Sequence, residues 1–270
     1  MTGGGYPSQR IATWLTVAVG SFAVFLIYAP IVWLGVMSVS ERPLSGIPWP
    51  LGSVWYDELF RDTRKWLRPL ELSLLIGVMV AACCVVSATL VGRALPRMKR
   101  RGGLLMVFLL PLFFPGIVTG GAFFMHYKAL LGLKMGVWSL VLGHFVWAFP
   151  FALLAMLVVT ARFDERLTEA ASDLGASAWH RFWHIEAPLL KPGIVASGFF
   201  GFLLSFNELP RSIFLRSGEI TLPLHLWAES SSHVSSVPLI YAMSTLITIA
   251  STVLTVIALR MLFFGRRASF

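Results

Sequence analysis

Residues 169–192 read EAASDLGASAWHRFWHIEAPLLKP, the longest polar, charge-bearing interruption in the C-terminal half of a largely apolar chain. Apolar runs flank it, Val137–Val159 before and Ile194–Leu204 after. Within it, Glu169-Ala170-Ala171-Ser172-Asp173-Leu174 predicts a short helix, and Gly175 predicts a sharp turn because glycine tolerates positive φ. Ala178–Ile185 predicts a second short helix, ended before Pro188 and again before Pro192, since proline lacks the helix donor and disfavours the helical conformation of its predecessor. The expected object is a helix–Gly–helix elbow held between two apolar spans.

Composition names the solvent of those spans. Apolar residues make up 57% of the 270, charged residues 13%, and the mean hydropathy is +0.77. Soluble domains carry about 25% charged residues, so this chain reads as an all-α membrane protein. A net charge of +9 invites a nucleic-acid reading. The basic residues form no aromatic-interleaved stripe, however, and sit beside the ends of apolar runs, as membrane topology requires; no nucleic acid is expected. Cys83 and Cys84 are adjacent in an apolar run, cannot easily pair with each other, and are expected as small buried residues.

Six spans are counted. The first, Ile11–Met37, has 27 residues without a charge, longer than the core of a cleaved signal of about 7–15 residues. Leu72–Val91, Leu104–Phe124, Val137–Val159 and Leu239–Phe264 follow the same logic, whereas Ile194–Phe214 is crowded by Asn207, Glu208, Pro210 and Arg211. With the N-terminus inside, the cytoplasmic segments hold the majority of the 22 Lys and Arg. Arg93, Arg97, Lys99, Arg100 and Arg101 against Lys128 and Lys134 is the clearest contrast. Both termini and the elbow then fall on the cytoplasmic side, and Ser38–Pro69 lies outside. The expected organisation is a tail at 1–10, one transmembrane domain at 11–264 with its cytoplasmic loop at 160–193 between spans 4 and 5, and a tail at 265–270.

The elbow resembles the EAA loop of ABC-importer permeases. It matches at Glu169-Ala170-Ala171, Gly175, Ile185 and Pro188, and departs at Ala187, where that loop usually has Leu. Further segments resemble, in order, spermidine/putrescine-type permeases of the MetI-like group. They are Trp55-Tyr56 with Leu59-Phe60, Pro111-Leu112 with Pro115 and Gly116-Ile117-Val118, Gly143-His144 with Pro150-Phe151, and Leu174-Gly175-Ala176-Ser177. The resemblance implies the inner-membrane permease subunit of a bacterial-type, binding-protein-dependent importer. It is not itself an enzyme, carries no cofactor or metal, and moves a small polar solute, polyamine-like or another small organic molecule. The implied partners are two copies of an ABC ATPase, a solute-binding protein outside, and a second permease subunit, expected as a different chain though the sequence does not distinguish it from a copy. Glu169, Ala170, Ala171, Asp173, Gly175, Ile185 and Pro188 are then the ATPase-coupling residues.

The second chemical stretch is Ser205-Phe206-Asn207-Glu208-Leu209-Pro210-Arg211. A carboxylate near the end of a span needs a partner or a water-filled cavity, and Pro210 frees carbonyls that are tolerated where they line one. The polyamine permeases resemble it with Ser-Phe-Asp-Glu/Asp. Asn207 removes one of the two acids and Arg211 adds a positive charge, which turns the expectation toward a less cationic, zwitterionic or anionic solute. Ser205, Asn207 and Glu208 are expected on the solute pathway; pairing of Glu208 with Arg211 as a structural ion pair stands equally open. Gly116-x-x-x-Gly120 offers close helix approach, within the subunit or across subunits. Trp55 and Tyr56 read as headgroup anchors of a short helix. His180 and His184 share a helix face, but the residues between them, Arg181-Phe182-Trp183, lack the glutamate of a zinc protease; a contact surface is expected. The chain has no G-x-x-x-x-G-K-[ST] phosphate loop. Other classes remain open: an intramembrane hydrolase built on His144, or an ATP-independent channel or secondary transporter, for which inverted repeats would be the signature.

Overall fold

The computed structural model describes residues 7–232 and 234–264, so the terminal tails expected at 1–10 and 265–270 lie largely outside the described residues. The regular elements are helical, with one isolated bridge between Ser40 and Leu51. In chain order they are α1 (Pro7–Ser38), α2 (Val54–Arg61), α3 (Arg64–Ala94), α4 (Arg101–Leu109), α5 (Gly116–Phe124), α6 (Val137–Thr160), α7 (Arg166–Asp173), α8 (Ala178–Arg181), α9 (Ala187–Phe206), α10 (Ser212–Leu215), α11 (Leu222–Ser232) and α12 (Val237–Phe264). Among the described residues, five helical stretches are long and apolar enough to cross a membrane, or six if a bent pair counts as one.

The chain divides into two compact units. The first runs to Thr63 and includes Glu229–Ala250; the second is Arg64–Ala228 with the chain from Ser251 onward. In the first unit, the loop after α1 is pinned by its own polar atoms. Trp55 Nε1 donates to Ser40 O at 2.8 Å, and Tyr56 OH bonds Ser38 Oγ at 2.8 Å. These two aromatics therefore fasten the loop to the end of α1, a role beyond the headgroup anchoring expected of them.

In the second unit α3, α6 and α9 form the core, and each buries a ridge of residues spaced by four. On α3 it is Leu72, Ile76, Val80, Cys84, Ala88 and Gly92; on α6, Leu140, His144, Ala148, Ala152 and Met156; on α9, Gly193, Ser197, Gly201 and Ser205. Ridges of this spacing are the rows along which helices interlock. In lipid the outward faces are apolar too, so hydropathy does not mark the inward ones; small residues such as Ala148, Ala152, Gly193 and Gly201 lie where the helices approach most closely. A methyl on Gly201 would lie 2.9 Å from Ala81 Cα, so only glycine permits that approach of α9 to α3. Ser197 Oγ donates to Ala152 O at 2.8 Å and ties α9 to α6. Cys84 is buried but Cys83 is exposed, against the expectation that both are buried, because neighbouring positions on a helix face about 100° apart.

The run Leu104–Phe124, expected as a continuous span, is broken. The helical stretches Arg101–Phe113 and Gly116–Leu130 meet at 95°. Phe114 is extended (φ −100, ψ 132), as the residue before a proline prefers, and Pro115 (φ −55, ψ 137) continues the bend. A second difference concerns the elbow. Its second helix does not stop at Pro188 or Pro192 but continues to Phe206, through one π turn at Phe182–Glu186. There the Ala187 N–H reaches Phe182 O, five residues back. Widening the helix just before Pro188 relieves the clash of the proline ring with the carbonyl four residues earlier.

Candidate functional site

Two polar constructions stand out, the elbow and a cluster where α9 ends. In the elbow, α7 closes with a Schellman motif: Gly175 N–H donates to Ser172 O at 2.9 Å and Ala176 N–H to Ala171 O at 3.0 Å. The motif needs a left-handed residue, and Gly175 has φ +81. Ser177 then caps α8 by accepting from His180 N–H. Arg181 Nη1 reaches back across the turn to Ser172 Oγ (2.7 Å) and Ala176 O (3.2 Å), so the two arms are tied together. Glu169, Ala170, Asp173, Gly175 and Pro188 are exposed, and Ala171 and Ile185 half-buried. The turn also presents apolar surface: Leu174 is 89% exposed and Trp179 73%. His180 and His184 stack on each other at 3.9 Å, and no third metal-ligating side chain joins them among the described residues.

The elbow is anchored to the end of α3 by two ion pairs. Arg93 Nε bonds Glu186 Oε2, with the guanidinium 4.8 Å from the centre of the Phe182 ring. Arg97 Nε bonds Glu165 Oε1 at 3.0 Å with both side chains about half exposed (50% and 51%). Sequence reasoning used Arg93 and Arg97 only as topology markers. The available signal was Glu186, a carboxylate in the stretch where the elbow's helix enters an apolar run.

The cluster is built on α6, α9 and α10. His144 is 1% exposed and bridges Ser205 Oγ and Ser212 Oγ, each at 2.9 Å. Ser212 Oγ spends its proton on Glu208 O at 2.8 Å. It must therefore accept from His144 Nε2–H, which leaves Nδ1 to accept from Ser205. With both serines also buried, the three side chains form a closed clamp between helices. Glu208 and Arg211 pair at 2.9 Å, 5% and 2% exposed, and Glu208 Oε1 also accepts from Arg211 N. Arg211 lies 4.7 Å from the centre of the Trp147 ring. Gly116 and Gly120 pack against this turn: a methyl on Gly120 would lie 3.1 Å from Arg211 Cα, so the small-residue pair serves packing inside the subunit. Beside the ion pair opens a cavity of about 620 Å³, lined among others by Phe114, Pro115, Gly116, Trp147, Asn207 and Glu208. Of the three expected pathway residues, Asn207 and Glu208 line it, whereas Ser205 turns away to His144. Glu208 is both paired with Arg211 and at the cavity wall. Trp147 was not singled out from sequence, where it is one aromatic among many in an apolar helix.

Residues 85–267 match the model of the family described as binding-protein-dependent transport system inner membrane component. The chain belongs to that family. It is similar to the spermidine/putrescine transport system permease protein PotC of Escherichia coli K12, 31% identical over 238 residues that cover 85% of this chain and 87% of the relative. The putrescine transport system permease protein PotI of the same organism is 28% identical, covering 82% and 81%. A putative 2-aminoethylphosphonate transport system permease protein, PhnV of Salmonella paratyphi A, is 31% identical over a shorter stretch, 58% of this chain and 60% of its own. In fold, the chain superposes on a chain of a bacterial ABC transporter involved in the import of the acidic polysaccharide alginate. The TM-score is 0.75 at 16% identity, over 96% of this chain and 99% of that one. The protein is thus a multi-pass inner-membrane permease subunit of the ABC-importer type, all-helical as its composition predicts.

Proposed function

We propose that this chain forms, with a second permease subunit, the solute pathway of an importer driven by a separate ATPase present in two copies, and that the elbow is where the ATPase docks. The observation that carries the docking is the apolar surface on an otherwise polar turn. Leu174 and Trp179 project beside Gly175 on a loop stiffened by the Schellman motif and Arg181. Large apolar side chains grouped on a polar loop mark an interaction site. The anchors Arg93–Glu186 and Arg97–Glu165 would carry a push on the elbow into α3, and the unbroken helix from α8 to α9 would carry it to the cavity. ATPase closure would then swing the core helices between inward- and outward-facing arrangements, with solute delivered by a binding protein outside. Both termini would lie in the cytoplasm. The relatives' solutes, spermidine, putrescine and 2-aminoethylphosphonate, are small and amine-bearing, which supports a small polar organic solute here.

The test is affinity purification of the tagged chain from its native membrane. An ATPase should co-purify, and Leu174→Glu with Trp179→Glu should release it while the permease stays in the membrane. Undiminished ATPase retention in that double variant would sink the docking assignment.

A further inference from the structure

Unspent positive charge gathers at one wall of the cavity. The helix α5 starts at Gly116, and its N-cap is Pro115, which has no side chain able to cap it. The N–H groups of Val118 and Thr119 both turn back to Pro115 O. Helix geometry leaves the donors before them, on Gly116 and Ile117, without intrahelical acceptors. Arg211 stands at this same end: a methyl on Gly116 would lie 2.9 Å from its Nη1 and 3.4 Å from Cζ. Arg211 is 98% buried by its 2% exposure, and its Nε has no hydrogen-bond partner. The helix end contributes about half a positive charge and the guanidinium a full one. Against them stands one carboxylate, Glu208, whose Oε1 takes both of its bonds from Arg211.

We propose that this wall, Pro115–Gly116 facing Arg211, is a subsite for the oxyanion of the carried solute, a carboxylate or a phosphonate. The solute is then anionic or zwitterionic and not a plain polycation. An oxyanion would satisfy the open helix end and the spare guanidinium donors together, the pairing that helix N-termini and arginines both favour. Trp147, against the guanidinium, holds its plane. Glu208 lies on the same wall, so an ammonium on the solute would find a carboxylate within the same cavity. The inference rests on the pathway reading above, but its test does not involve the ATPase.

The full chain in lipid nanodiscs would be titrated with acetate, methylphosphonate and 1,4-diaminobutane at constant ionic strength set with chloride. The signal is the tryptophan fluorescence of the wild type minus that of Trp147→Phe. A saturable response to acetate or methylphosphonate but not to the diamine is expected, and which anion binds tighter names the oxyanion. Gly116→Ala, which crowds the guanidinium, should weaken it by about tenfold. Glu208→Gln combined with Arg211→Gln, which strands no charge, should abolish it. A response to the diamine alone, or none to either anion by about 10 mM, overturns the proposal. If either variant fails to fold, the wild-type series still decides. Anion binding with no associated ATPase would instead overturn the proposed function and leave the subsite standing.

Discussion

Replacing Glu186 by Gln should cost about 2 kcal/mol, and the figure follows from how deep the pair sits. Breaking a fully buried ion pair costs about 3–5 kcal/mol because the remaining charge is stranded, while exposed pairs contribute under about 1. The Glu186 side chain is 7% exposed and that of Arg93 27%, between those limits. Arg93 would keep the Phe182 ring and some water, which holds the loss near the middle of the range. Arg93→Gln should cost at least as much, since it leaves the more deeply buried carboxylate alone. The double variant should cost less than the sum of the two, with a coupling of about 1–2 kcal/mol. Unfolding of the full chain in bicelles by titrated SDS, followed by tryptophan fluorescence, supplies the four stabilities. Uptake measured alongside ATP hydrolysis supplies the functional arm: each single variant should lower solute moved per ATP, because the elbow then loses the more buried of its two ion pairs with the end of α3 and keeps the more exposed Arg97–Glu165 pair. Additive single costs, within about 0.5 kcal/mol, would refute the reasoning that this pair fastens the elbow.

Gly175→Ala meets no atom within 4 Å, so its cost should be the left-handed strain alone, about 1–2 kcal/mol; Gly175→Val should further uncouple ATP hydrolysis from transport, and normal coupling in it would count against a rigid elbow. His144→Phe should destabilise by about 2 kcal/mol or more, chiefly through the Ser205 hydroxyl, whose proton loses its acceptor while Ser212 keeps its bond to Glu208 O, with much of that recovered when Ser205 is also changed to Ala; no recovery would mean the clamp is not the cause. With Cys83 and Cys84 removed, a cysteine at Ser53 should react with an impermeant thiol reagent in intact cells and one at Ser177 should not, and the reverse pattern would invert the proposed topology.

Much of this protein was legible in the chain because lipid imposes a one-dimensional constraint. A span must be about 20 apolar residues long, so Ile11–Met37, Leu72–Val91, Val137–Val159 and Leu239–Phe264 can be read by length alone. Backbone rules are similarly local, which is why Gly175 announced its left-handed turn and the elbow could be outlined from Glu169 to Pro188. Proline was ambiguous for the same reason. Pro115 breaks a run that hydropathy reads as continuous, whereas Pro188 and Pro192 are absorbed, because the helix ahead of Pro188 can widen into a π turn.

Facing and pairing were decided only by the tertiary structure. In a soluble helix the apolar stripe marks the inside; here both faces are apolar, and hydropathy does not separate the ridges spaced by four on α3, α6 and α9 from the outward face. Ser205 is an instance: its neighbours Asn207 and Glu208 reach the cavity, while a turn of helix directs Ser205 to His144, 61 positions earlier in the chain. Arg93 and Glu186 are 93 positions apart, and nothing in either local sequence encodes the other. A charge buried beside a membrane must find a partner; the sequence states that requirement, and only the packing of one helix against another supplies the partner.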